Sequence, residues 1–388
     1  MATHFYTYKT LCNLIPWLTC HSSTPVSVEE INPLIERFLN KFNASIPAIG
    51  GHSALLSTNE GIAAKISFKL DDERLQHEQE IFDELEKSPS PYIVRCLLSR
   101  PNIIFMPFIK SKNLHDRIRE KDRPSPTLSW MFQLTSAAAA LEAIGFAHGD
   151  INPFNILIDN QDQLTLVDLD HTLPIGSELE VGNEPYVRVH MQDESEGGAG
   201  VYGNAGPETE QFALGSIFWY VARGKELYAD MSGYDRVETL CARQFPDLEP
   251  DNPIDNIISR CWKGKFAQVA DILREIEKIA AEQGILDSIS GTESLSNVEY
   301  LAKRKLCEHY YSLLHEDSET KSVETSIPKE DNIHLEKNTG SIWKEKAYDV
   351  VTYFKRGFNY NESIHLTLTV TITVSAALVL TSCLRKKL

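Results

Sequence analysis

The sequence predicts an α+β chain of two lobes, strand-rich first and helical second, with a single transmembrane helix at its C-terminus. Three observations carry this. Strand-like runs and one helix fill Ile46 to Ile109. Helical stretches dominate from Leu114 to about Gly284. Ile364 to Leu384 contains no formal charge. The chain divides into a lead-in (1–45), a strand-rich lobe (46–110), a helical lobe (111–284), a charged linker and juxtamembrane segment (285–362) and the apolar span (364–384).

Each element has a local reason. Leu34, Ile35, Phe38, Leu39 and Phe42 recur at helical spacing in the lead-in. Ile62 to Ile66, Ile93 to Leu98 and Ile103 to Met106 read as strands, and Leu75 to Leu85 as a helix with Leu75, Ile81, Phe82 and Leu85 apolar. In the second lobe, Trp130 to Ile144 contains a run of alanines, the best helix former. Phe212 to Val221 and Ile254 to Trp262 are apolar helical stretches. Asp271 to Ala281 is amphipathic, with Gly284 as its stop. Ser, Thr, Glu, Asp and Lys enrich 286–340, the composition of a linker, within which Leu301 to Leu314 suits one helix.

The span Ile364 to Leu384 would run about 31 Å as a helix, roughly the hydrocarbon thickness of a bilayer. Lys355 and Arg356 precede it, Arg385 to Lys387 follow, and Trp343, Tyr348, Tyr353 and Tyr360 lie upstream, where interfacial aromatics are useful. Leu366 to Val374 alternates apolar residues with threonine, a strand pattern. A lone strand in lipid leaves its backbone unpaired, so in a membrane the segment is expected as a helix. No basic stretch precedes an apolar one at the N-terminus, so no signal peptide is expected. Together these resemble a tail-anchored protein whose folded part faces the cytosol. The short basic tail favours the outer mitochondrial membrane over the endoplasmic reticulum.

The 388 residues are 42% hydrophobic, ample for one large core. A net charge of −17 argues against a nucleic-acid partner, whose phosphates call for a Lys/Arg excess. The 7 cysteines are odd in number and contain no CxxC pair, which fits a reducing compartment and argues against a disulfide framework or a zinc site.

Chemistry concentrates in His148-Gly149-Asp150-Ile151-Asn152-Pro153-Phe154-Asn155, followed by Leu166-Val167-Asp168-Leu169-Asp170. An aspartate, an asparagine and a second aspartate at these intervals suit phosphoryl transfer from a Mg-nucleotide. One carboxylate orients a hydroxyl; an amide oxygen and another carboxylate hold metal. The stretch resembles the catalytic and metal-binding loops of the eukaryotic protein-kinase-like superfamily, and is similar to the His-Gly-Asp-Ile-Asn-Pro loop of divergent kinase-like proteins of fungi. The resemblance covers roughly residues 46–284 and implies a two-lobed kinase-like fold, ATP and Mg²⁺ as cofactors, and a protein substrate. It implies Asp150 as catalytic aspartate, Lys65 as the phosphate-binding strand lysine, Glu78 as its helix partner, and Asn155 and Asp168 as metal ligands. Gly50 and Gly51 would cover the phosphates. Met106 would back the adenine pocket, with the backbone of Phe108 or its neighbours bonding adenine. Gly206-Pro207-Glu208 resembles the motif closing the activation segment, and Glu208 is expected to pair with Lys265.

Four departures accompany the resemblance. The phosphate-covering loop, Ile49 to Leu55, keeps the first glycine, displaces the second and lacks the third. Gly149 stands where many protein kinases have arginine, so control through an activation-loop phosphate is not expected. Asn152 replaces a lysine that contacts the transferred group. Asp170 replaces the glycine of the metal loop. The sequence thus predicts a divergent, membrane-anchored protein kinase. A pseudokinase scaffold and a small-molecule phosphotransferase are the alternatives.

Overall fold

The computed structural model describes residues 31–316, apart from 121–123, 191–201 and 291–294. In the first lobe, α1 (Pro33–Phe42) precedes β1 (Ser45–Ile49), β2 (Ser53–Ser57) and β3 (Ile62–Ser67). Asn32 starts α1: its side-chain oxygen accepts from the Leu34 N–H at 3.0 Å, and its amide donates to the Ser67 carbonyl at 3.0 Å. One residue therefore caps the helix and ties it to the end of β3. The long helix α2 (Glu73–Lys87) follows, then β4 (Leu98–Arg100) and β5 (Ile103–Pro107). The sheet is antiparallel, in the order β1-β2-β3-β5-β4.

Side chains alternate across a sheet, and that alternation sorts this lobe into two faces. Ile62, Ala64 and Ile66 of β3, with Ile103 and Phe105 of β5, enter an outer apolar cluster containing Leu34, Ile35, Phe38 and Leu39 of α1. Fully burying one side chain such as Phe38 contributes about 1.5–3 kcal/mol. Lys65 takes the opposite parity and faces the cleft. On that side Ile104 and Met106 join the larger core, which α2 enters through Leu75, Ile81, Phe82 and Leu85.

Ile93 to Leu98 does not form the expected strand. Ile93 makes only an isolated parallel bridge to Leu166, through the bonds Val94 N–H to Leu166 O at 2.9 Å and Leu166 N–H to Tyr92 O at 2.8 Å, and β4 itself spans Leu98–Arg100. Ile93, Val94 and Leu97 are nonetheless buried. Burial without ladder pairing explains the apolar run, which periodicity alone cannot tell from a strand.

The second lobe holds β6 (Ser111–Asn113), α3 (Leu114–Ile118), α4 (Thr127–Ala143), β7 (Phe146–Ala147), β8 (Ile156–Asp159), β9 (Leu164–Leu166) and β10 (Leu173–Pro174). The helices α5 (Pro207–Arg223), α6 (Gly233–Cys241), α7 (Pro253–Trp262), α8 (Val269–Glu282) and α9 (Leu286–Ser290) follow. Short sheets β6-β8-β9 and β7-β10 frame the loops after β7 and β9. α5 is buried along most of its length. Gly215 admits α7 there: a Cβ at 215 would lie 2.7 Å from the Cβ of Cys261. Glu142 of α4 accepts from the N–H groups of Val269 and Ala270, at 2.9 and 3.2 Å, and so caps α8 from a neighbouring helix.

α10 (Asn297–Glu316) is the helix expected over Leu301 to Leu314 within the linker, longer at both ends. It returns to the first lobe, where Tyr300, Cys307, Tyr310 and Leu314 close the outer cluster over β3 and β5. The Arg95 guanidinium lies 3.6 Å from the centre of the Tyr300 ring, and Tyr300 donates to Glu86 at 3.1 Å. The lead-in helix and α10 thus both belong to the strand-rich lobe. Residues 197–200 and the span 364–384 lie outside the described residues. Among the described residues no helix is long and apolar enough to cross a membrane.

Candidate active site

β3 delivers Lys65 and α2 delivers Glu78 to one point. The Lys65 amine lies 2.6 Å from Glu78 Oε2 and 2.6 Å from Asp168 Oδ1. Of the nearby acids on α2, Glu84 instead pairs with Lys87. Glu78 also accepts the Leu169 N–H at 3.3 Å, which joins α2 to the metal loop. Leu169 itself is fully buried. Burial alone would lower the Lys65 pKa; Glu78, then Asp168 and Asp170, overcome it and hold the amine well above its usual range. Lys65 is therefore a fixed cation.

Asp150 and Asn155 form the second group. The Asn155 amide donates to Asp150 Oδ2 at 2.8 Å and to the Asp150 carbonyl at 3.0 Å. Its nitrogen is engaged, and its oxygen is the donor left for a hard cation. Asp168, whose side chain is 42% exposed, supplies the carboxylate; this donor set fits Mg²⁺. Val167 N–H donates to the Asn155 carbonyl at 2.9 Å, so the two loops are bonded side by side. Burial pushes the Asp150 carboxyl up, and His148, Asn152, His171 and Asn155 pull it back. His148 is fully buried, bonds the Val167 carbonyl at 3.2 Å through Nε2, and is held neutral by that burial. It packs the loop from beneath. Asn152 turns inward, donating to the Asp150 carbonyl at 3.2 Å and accepting from the Phe154 N–H at 2.9 Å. It stabilises the loop where a lysine would reach phosphate.

Gly149 has φ +77°, and a Cβ there would lie 2.5 Å from the His171 carbonyl. The family's arginine is missing because the loop leaves no room for any side chain. The glycine loop is equally altered. Gly50 N–H donates to the Ser53 carbonyl at 2.9 Å, closing the β1–β2 turn. That amide closes the hairpin instead of facing phosphate. Met106 sits buried on β5 opposite Ala63 of β3. The Phe108 N–H donates to the Gly61 carbonyl at 2.9 Å and is engaged within the protein.

The expected pairing of Glu208 with Lys265 is not formed. Glu208 pairs with Arg188 of the activation segment, while Lys265 is exposed. The Glu208 side chain passes next to Gly264, within 3.7 Å of where a Cβ would sit, so backbone occupies that approach.

Sequence reading passed over Glu210. Its carboxylate accepts from the N–H of His148 at 3.0 Å and of Gly149 at 3.2 Å, so α5 holds the catalytic loop directly. An acid in a first helical turn ordinarily serves the helix dipole, which disguised this one. Burial pushes its carboxyl up to about 7, against the pull of the two N–H donors. A folded-state value above 4.5 means the stabilisation is complete below pH 4.5 and is lost as pH rises through about 7. Melting temperature is expected to fall across that window, and Glu210→Gln is expected to flatten the slope whatever its constant cost. An unchanged slope in the variant would contradict this assignment.

Comparison with known proteins agrees with the geometry. A family model described as protein tyrosine and serine/threonine kinase matches residues 62–276, beginning after the altered glycine loop. Maternal embryonic leucine zipper kinase of Xenopus tropicalis is 34% identical over 121 residues, 29% of this chain and 18% of that protein. Its Xenopus laevis counterpart is 33% identical over 121 residues, again 18% of the relative. The serine/threonine-protein kinase mrck-1 of Caenorhabditis elegans is 24% identical over 153 residues, 38% of this chain and 9% of that protein. The matched stretches thus span less than a fifth of each relative. The family match extends over more than half of the 388 residues and includes Lys65, Glu78, Asp150, Asn155 and Asp168, so the chain belongs to the protein tyrosine and serine/threonine kinase family.

Proposed function

We propose that the chain is an ATP-dependent protein kinase that transfers the γ-phosphoryl group of Mg-ATP to a protein hydroxyl, acting from a membrane to which its C-terminal segment anchors it. The convergence of Glu78 and Asp168 on Lys65, each at 2.6 Å, carries the catalytic part of this reading. A lysine fixed between helix and metal loop presents its charge to phosphate without further rearrangement. Asp150 orients the acceptor hydroxyl and takes its proton as the bond from acceptor oxygen to phosphorus forms and the bond to the ADP oxygen breaks. Asn155 Oδ1 and Asp168 hold Mg²⁺, which when bound neutralises charge on the phosphate oxygens. The uncharged run from Ile364 to Leu384, bounded by Lys355, Arg356 and Arg385 to Lys387, supports the anchor and a cytosol-facing enzyme, at the outer mitochondrial membrane before the endoplasmic reticulum.

The engaged Gly50 amide favours one competing reading, a scaffold that binds nucleotide weakly and does not turn it over. The deciding experiment supplies γ-labelled ATP and Mg²⁺ to the full chain with a protein mixture. Label on protein is expected; label only on a small molecule, or none, ends the protein-kinase reading. Retention of the chain in membranes through alkaline carbonate is expected in parallel, and release would remove the anchor.

A further inference from the structure

We propose that Asp170 is a third oxygen ligand of the divalent cation, joining Asn155 and Asp168; the inference rests on the Mg-nucleotide reading of this site. The position belongs to glycine in the family's metal loop. Here the loop turns through Asp168, at φ +67°, and sends both carboxylates toward the Lys65 amine. Asp168 Oδ1 reaches it at 2.6 Å and Asp170 Oδ2 stands 4.0 Å away.

The two oxygens of Asp170 have different surroundings. Oδ1 lies 2.6 Å from His171 Nδ1, which fixes the orientation of the carboxylate. Oδ2 lies 3.9 Å from His52 Nε2 and 4.0 Å from the Lys65 amine, both beyond hydrogen-bond range. The side chain is only 10% exposed. It is therefore nine-tenths buried, with Oδ1 against His171 and Oδ2 bonded to neither His52 nor Lys65. Carboxylates that ligate metals are themselves held by neighbouring hydrogen-bonding groups.

Charge points the same way. Glu78, Asp168 and Asp170 surround a single lysine amine. Bringing a polyphosphate to three carboxylates and one ammonium requires divalent cations in compensation. Among the described residues no three acidic, histidine or cysteine side chains already form a metal cage. Mg²⁺ ordinarily binds through one or two carboxylates and completes its shell with phosphate and water. The eroded glycine loop gives the arrangement a purpose: affinity that backbone amides no longer supply is moved to the metal.

The test is a Mn²⁺ titration of the full chain by electron paramagnetic resonance, with and without a non-hydrolysable ATP analogue. Asp170→Asn is expected to weaken Mn²⁺ binding about tenfold or more. Its melting temperature without metal is expected to fall modestly, because the contact with His171 and the attraction of Lys65 are lost. His171→Ala is expected to weaken Mn²⁺ less than Asp170→Asn. Asp170→Gly, which installs the family's residue, carries the same expectation should the asparagine variant fail to fold. Wild-type Mn²⁺ affinity in either folded variant overturns the proposal, as does a wild-type chain that binds no Mn²⁺. Mn²⁺ bound through Asp170 without nucleotide affinity would sink the phosphoryl-transfer reading and leave the ligand assignment standing.

Discussion

Asp150→Asn is expected to reduce turnover by about 10²–10⁴-fold, equivalent to about 3–5 kcal/mol of barrier, while nucleotide-dependent thermal stabilisation persists. The asymmetry follows from what each side chain touches. Asp150 contacts the catalytic loop, through Asn152 and Asn155, and none of the groups around Lys65. An asparagine at 150 can still accept from the Asn155 amide, so the metal-facing oxygen of Asn155 keeps its orientation. The carboxylate that receives the acceptor proton is gone. Asp168→Ala is expected to behave differently: it removes the proposed metal ligand and a partner of Lys65 together, so metal-dependent stabilisation and turnover should both be lost. Phosphate transfer by Asp150→Asn within a few fold of wild type would mean that another group serves as base.

Gly149→Ala is expected to cost about 2–5 kcal/mol of stability, read as a melting temperature lower by several degrees. A left-handed backbone costs a side-chain-bearing residue about 1–2 kcal/mol, and forcing atoms into a filled space typically adds about 1–3. Here the obstruction is the His171 carbonyl, 2.5 Å from the Cβ position, and backbone cannot step aside as the end of a flexible side chain would. Activity should fall with stability, because Gly149 lies between His148 and Asp150 and its N–H is held by Glu210. Installing the family's arginine at 149 therefore damages the loop and does not restore control by an activation-loop phosphate. A Gly149→Ala chain that melts like wild type would show that the loop relaxes elsewhere.

Sequence reasoning reached the centre of the site because its parts are fixed locally. Asp150, Asn155 and Asp168 lie on one short stretch; hydrophobic period places a strand at Lys65 and a helix at Glu78, and the family resemblance pairs the two residues. The helices expected over Leu75–Leu85, Trp130–Ile144, Phe212–Val221, Ile254–Trp262 and Asp271–Ala281 are present and mostly longer, since caps and first turns carry little apolar signal. What escaped was whatever depends on distant partners. Glu210 reads as an ordinary helix-end acid until the catalytic loop is laid against it. Glu208 pairs with Arg188, which lies 20 residues before it on the activation segment, and not with Lys265. Tyr300, Cys307, Tyr310 and Leu314 lie in a charged stretch that composition assigns to a linker. Only the bare outer face of β3 and β5 explains why that helix folds back.

The return of α10 to the strand-rich lobe also decides where mechanical load enters the molecule. The chain leaves the described residues from Glu316, at the end of a helix bonded to the back of the sheet, with Lys41 donating to the Leu313 carbonyl at 2.6 Å. A pull on the chain beyond Glu316 would therefore reach the strand-rich lobe that carries Lys65 before the helical lobe that carries Asp150.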